Sequence, residues 1–140
     1  TIEYASPLWQ FQLSASQAAV LERLQARLAR VVLRQYGVFP SATEPKASLF
    51  AHLQWPSLAW RRHIQCLREL HHLVHHQTTA LMELGYSLST SARRPLQLVP
   101  PARANTYSRA TFLFVTAATW NSLPTDIRTT QNSHCFVSRV

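Results

Sequence analysis

The chain has 140 residues and a net charge of +8, from fourteen Lys or Arg against six Asp or Glu. A hydrophobic content of 46% excludes wholesale disorder and is enough for one domain with a real core, or two small subdomains. Its two glycines, Gly37 and Gly85, exclude a glycine-rich phosphate cradle, a dinucleotide fingerprint and a hairpin-rich β fold.

Residues 2–13 hold Tyr4, Trp9 and Phe11 and fit a short helix with Pro7 in its first turn, where the missing N–H costs nothing. Ser14-Ala15-Ser16-Gln17 has the form of a capping box and opens a long helix to about Tyr36, which Gly37 stops. Leu21, Leu24, Leu28 and Val31, with Val32 alongside, recur at helical spacing along it. Pro40 and Pro45 mark a connection, Ala47–Gln54 fits a short helix, and Trp55-Pro56 breaks it. Ser57 caps a second long helix to about His76, with Trp60, Ile64, Leu67, Leu70 and Val74 as its apolar face. A short helical stretch through Leu81 and Leu84 ends at Gly85.

Residues 85–106 are rich in Ser, Pro and Arg and read as an extended connection, with Leu96, Leu98 and Val99 as a brief strand or clip. Helix returns from Ser108 to Trp120, Leu123-Pro124 turns the chain, and Ser133–Val140 begins a last short helix. The fold class expected is mainly α: a helical bundle over 1–84, the extended linker 85–106, and a small C-terminal helical segment over 107–140. Cys66 and Cys135 lie far apart and mark no disulfide framework. No apolar run approaches the roughly 18 residues needed to span a bilayer, and no signal-peptide layout opens the chain. The expected location is therefore intracellular, nuclear and cytoplasmic.

Thirteen of the fourteen basic residues are arginines, the other being Lys46, and a surplus of this size favours polyanions through release of condensed counterions. Arg23, Arg27, Arg30 and Arg34 are spaced 4-3-4 in the first long helix. At about 100° per residue they fall on one stripe beside the leucine stripe, a layout suited to tracking phosphates. Arg61 and Arg62 extend the candidate nucleic-acid surface or face water. Trp55 is expected to plug the joint at the start of the second long helix.

His71/His75 and His72/His76 are i,i+4 pairs of metal-ligand type, preceded by His63 and Cys66 three residues apart. All six lie on one helix and point in several directions, which disfavours a converging site, so no metal is expected there. A hydrolytic triad would have to recruit Asp126, and no nucleophile sits on a strained glycine-flanked turn. Phe112 and Trp120, eight residues apart, are expected to anchor the last long helix in the core rather than to stack on bases.

Three motifs carry a family resemblance. Trp120-Asn121-Ser122-Leu123-Pro124 follows Tyr107-Ser108-Arg109 and Phe112 and precedes Ser133 and Phe136. Tyr4-Ala5-Ser6-Pro7-Leu8-Trp9 opens the chain, and Trp55-Pro56-Ser57-Leu58 with Arg61-Arg62 lies between. In order and rough spacing these resemble the thumb and post-thumb region of LINE-type, jockey-like non-LTR retrotransposon reverse transcriptases. The resemblance spans almost the whole chain.

It implies a parent RNA-directed DNA polymerase whose fingers and palm lie upstream. The magnesium ions of the parent belong to aspartates of that palm. The chain has one aspartate, Asp126, and glutamates only at positions 3, 22, 44, 69 and 83, with no carboxylate pair for two-metal chemistry. No catalytic residue and no cofactor are therefore expected in this chain, and the resemblance suggests a fragment cut at both ends. By resemblance its partners are RNA, RNA–DNA or DNA duplex, and the upstream palm and fingers. The thumb role falls on Arg23, Arg27, Arg30 and Arg34. A basic residue that several relatives carry is replaced here by Val115. The alternative is a non-enzymatic retroelement remnant acting as a helical protein-interaction module, with the leucine stripe as its contact.

Overall fold

The structure is a computed structural model and describes residues 5–102 and 111–140. Tyr4, the Tyr107-Ser108-Arg109 triplet and the expected first turn at Ser108 lie outside the described residues. Within them the chain is mainly helical, with eight α-helices and one two-stranded sheet. It divides into two compact units: Leu13–Arg62, and Ala5–Gln12 with His63–Val140. The division falls inside a helix rather than at the composition change near residue 84. No helix of the described residues is long and apolar enough to cross a membrane.

In the first unit, α2 (Ala15–Gln35) begins at Ser14, whose hydroxyl accepts from the Gln17 N–H while the Gln17 side chain accepts from the Ser14 N–H. The expected capping box is therefore closed. Gly37, at φ +78, ends the helix: its N–H donates to Arg34 O and the Val38 N–H donates to Leu33 O. This is the paired-bond stop that a left-handed glycine allows.

Helix α3 (Lys46–Leu53) packs on α2, and the core here is Ala26, Ala29, Leu33, Leu49 and Phe50, with Leu53 and Trp55 against it. The apolar stripe of α2 departs from expectation. Leu24, Leu28 and Val31 are exposed, and α2 buries Gln25, Ala26, Ala29 and Leu33 instead. Two alanines let a neighbouring helix approach closely, and Gln25 is needed on that side for its amide. Its Oε1 accepts from the Leu58 N–H at 3.1 Å and its Nε2 donates to Pro56 O at 2.9 Å.

Glu22 accepts from the Ala59 N–H at 2.7 Å, and Ser57 Oγ accepts from the Trp60 N–H. Three side chains thus satisfy the open N–H groups at the start of α4 (Leu58–His76). The Glu22 carboxylate also meets the positive end of that helix. Trp60, expected on the apolar face of α4, is 47% exposed.

The second unit starts with α1 (Ser6–Trp9) and a 3₁₀ turn at Gln10–Gln12. The rest of α4 is followed by α5 (Thr78–Glu83), the antiparallel pair β1 (Ser87–Leu88) and β2 (Leu98–Val99), then α6 (Phe112–Ser122), α7 (Thr125–Arg128) and α8 (Ser133–Arg139). In register, Ser87 faces Val99 and Leu88 faces Leu98. The clip anticipated around Leu96–Val99 is thus present inside the segment read as an extended connection. Leu67, Leu70, Val74, Leu81, Leu98, Trp120 and Phe136 form the core of this unit. Cys66 is buried there too, and burial pushes its thiol up to about 12.

Candidate nucleic-acid interface

Arg23, Arg27 and Arg34 lie exposed on α2, and Arg30 is half-buried between them. At 1.5 Å per residue the row from Arg23 to Arg34 is about 16 Å long. Arg30 is tied down: its guanidinium donates to Ala42 O at 3.4 Å and Glu44 O at 3.3 Å, and its Nε is screened from solvent without an acceptor. Exposed Leu24, Leu28 and Val31 run beside the row, so this side of α2 is both basic and apolar. Arg61 is exposed on α4. Arg62 is only 4% exposed and does not share an exposed face with the others.

A cavity of about 560 Å³ opens along the same helix, lined by Arg23, Arg27, Arg30 and Lys46 with Leu24 and Glu44. Sequence reasoning missed Lys46, which lies twelve residues past Arg34 and joins the arginines only because α3 folds back on α2. Glu44, the one acid on the lining, is engaged elsewhere: its Oε1 accepts from Ser48 Oγ at 2.6 Å and lies 3.7 Å from His52 Nε2.

The motif residues of the second unit do structural work. Trp120 is fully buried and donates from Nε1 to Leu96 O at 2.8 Å. Asn121 accepts from the Leu98 N–H and donates to Leu98 O, both at 2.8 Å, so its amide behaves as a further strand on β2. Arg128, 3% exposed, donates to Asn121 O at 3.0 Å and to Thr125 Oγ1 at 3.3 Å. Phe136 lies 5.7 Å from the Trp120 ring, and Asn132 caps α8 through the N–H groups of His134 and Cys135. The expected core role of Trp120 holds, with Phe112 half-buried beside the same core.

The histidines divide in the same way. His71 is fully buried, stacks on Phe136 at 4.5 Å, and donates from Nε2 to Thr130 O at 2.7 Å. His75 donates from Nε2 to Arg128 O at 2.9 Å. In each ring that nitrogen is committed to a carbonyl. His71 Nδ1 is buried without a partner, and burial, with a smaller contribution from His75, holds this histidine below its usual range.

The chain matches no family model, and neither the curated proteins nor the solved structures searched contain a significant match to it.

Proposed function

We propose that this chain is a non-catalytic nucleic-acid-binding segment, the thumb and post-thumb part of a non-LTR retrotransposon reverse transcriptase. Its task is to grip RNA or the RNA–DNA duplex while an upstream palm polymerises. The observation that carries the proposal is the row of Arg23, Arg27 and Arg34 exposed on one 21-residue helix, with Arg30 between them. Guanidinium groups at this spacing bind phosphate oxygens without reading sequence. The order of the three motifs supports the family assignment. Arg61 adds to the surface, while buried Arg62 takes no part. The magnesium chemistry belongs to the parent polymerase.

The test is fluorescence anisotropy of a labelled RNA–DNA duplex against the purified chain and an Arg23→Gln/Arg27→Gln/Arg34→Gln variant. Wild-type binding that the variant loses supports the proposal; equal binding by both contradicts it. Primer extension with magnesium by the chain alone would contradict its non-catalytic part.

The exposed Leu24, Leu28 and Val31 favour a second proposal, a helical protein-interaction module. Under it, analytical ultracentrifugation shows salt-insensitive self-association that Leu24→Ser/Leu28→Ser abolishes, and no affinity for nucleic acid.

A further inference from the structure

We propose that the cavity between α2 and the start of α3 takes the 5′-phosphate end of a nucleic-acid strand. This deepens the nucleic-acid proposal above and rests on it. Arg23, Arg27, Arg30 and Lys46 surround a space of about 560 Å³ whose one acid, Glu44, is engaged by Ser48. Four cations against the single Glu44 carboxylate leave the concavity with a surplus of positive charge, which an anion inside offsets. Arg30 is pre-positioned on the cavity wall by its bonds to Ala42 O and Glu44 O. Pro45, the residue before α3, supplies no side-chain cap, so the positive end of an eight-residue helix adds to the same field.

Shape and charge point to a strand end rather than an internal phosphate. Internal phosphodiesters of a duplex ride on its outer ridges and carry one charge each, and an open arginine row serves them. A terminal phosphomonoester carries roughly −1.5 to −2 at neutral pH. It enters a concavity and leaves its neighbouring sugar and base outside. Val20 and Leu24 supply an apolar wall for that first nucleotide. The volume lies in the range of about 300–1,000 Å³ typical of small-ligand sites.

Two otherwise identical short RNA–DNA duplexes, one ending in a 5′-phosphate and one in a 5′-hydroxyl, test this by anisotropy at fixed salt. The phosphorylated duplex should bind on the order of tenfold tighter. Arg27→Gln/Lys46→Gln should remove that preference; both side chains are exposed, so the fold is spared. Arg34→Gln, outside the cavity, should weaken both duplexes while keeping their ratio. Equal affinity for the two ends, still sensitive to the arginines, overturns the cavity proposal and leaves the general one standing. A preference that survives Arg27→Gln/Lys46→Gln overturns it as well. Binding to neither duplex removes the general proposal, and this one with it.

Discussion

Asn121→Ala should loosen the second unit by detaching β2 from α6. The wild-type amide accepts from the Leu98 N–H and donates to Leu98 O, both at 2.8 Å, and Leu98 is 1% exposed. Each bond is worth about 1 kcal/mol net, and each backbone group left unmet at a buried residue costs about 1–3 kcal/mol. Some water will reach the vacated space, so the expected loss is about 2–4 kcal/mol. With a urea slope of about 1–3 kcal/mol per molar, the unfolding midpoint should fall by about 1–2 M.

Asn121→Asp sharpens the test. The carboxylate keeps the bond from the Leu98 N–H but sets its second oxygen against the Leu98 carbonyl, so at neutral pH it should lose nearly as much as alanine. That repulsion raises the carboxyl pKa in the folded state. A group with a raised folded pKa contributes stability below its unfolded value, here about 4, and loses it as pH rises through the folded value. Asn121→Asp should therefore gain on Asn121→Ala as the pH falls. The assays are urea unfolding followed by circular dichroism, and hydrogen exchange at the Leu98 amide. A loss under about 0.5 kcal/mol with unchanged Leu98 protection would refute the clamp, since a bond of this kind is worth more than that.

Further expectations concern the same core and the thiols. Trp120→Phe removes the donor to Leu96 O and should cost about 1–2 kcal/mol, whereas Trp120→Ala should cost about 3–5 kcal/mol, both read from urea unfolding. Burial holds His71 below the ordinary histidine value of 6.5 in the folded chain. The unfolded chain therefore takes up the proton first, and stability contributed by neutral His71 is full above pH 6.5 and drains as pH falls from there toward the folded value. His71→Gln, which does not titrate, should show a smaller decline over that window in pH-dependent unfolding. Cys135 is exposed and Cys66 buried with its thiol raised to about 12, so a thiol reagent should consume one equivalent quickly and the second only on unfolding.

The features legible in the sequence are those set by neighbours along the chain. Ser14 with Gln17, Gly37 and Ser57 act within a turn of where they stand, so cap and stop residues located the helices. The face that α2 buries was not legible, because leucine spacing and alanine spacing both have helical period. Only the partner helix decides, and α3 selects Ala26 and Ala29. Lys46 joins the arginines of α2 through a fold-back that no local pattern announces. Arg62 and Arg128 carry ordinary surface chemistry in sequence and are buried in the structure. Asn121 stood out as part of a motif, but its bonding to Leu98 spans 23 residues and required the fold.

The salt dependence of duplex binding tests the central proposal most directly. Four arginines engaging phosphates give a slope of log K against log salt of about −3 to −4, and the Arg27→Gln/Arg34→Gln variant should reduce its magnitude by about 2. Affinity independent of salt, or a slope the variant leaves unchanged, would contradict a phosphate-gripping role for α2.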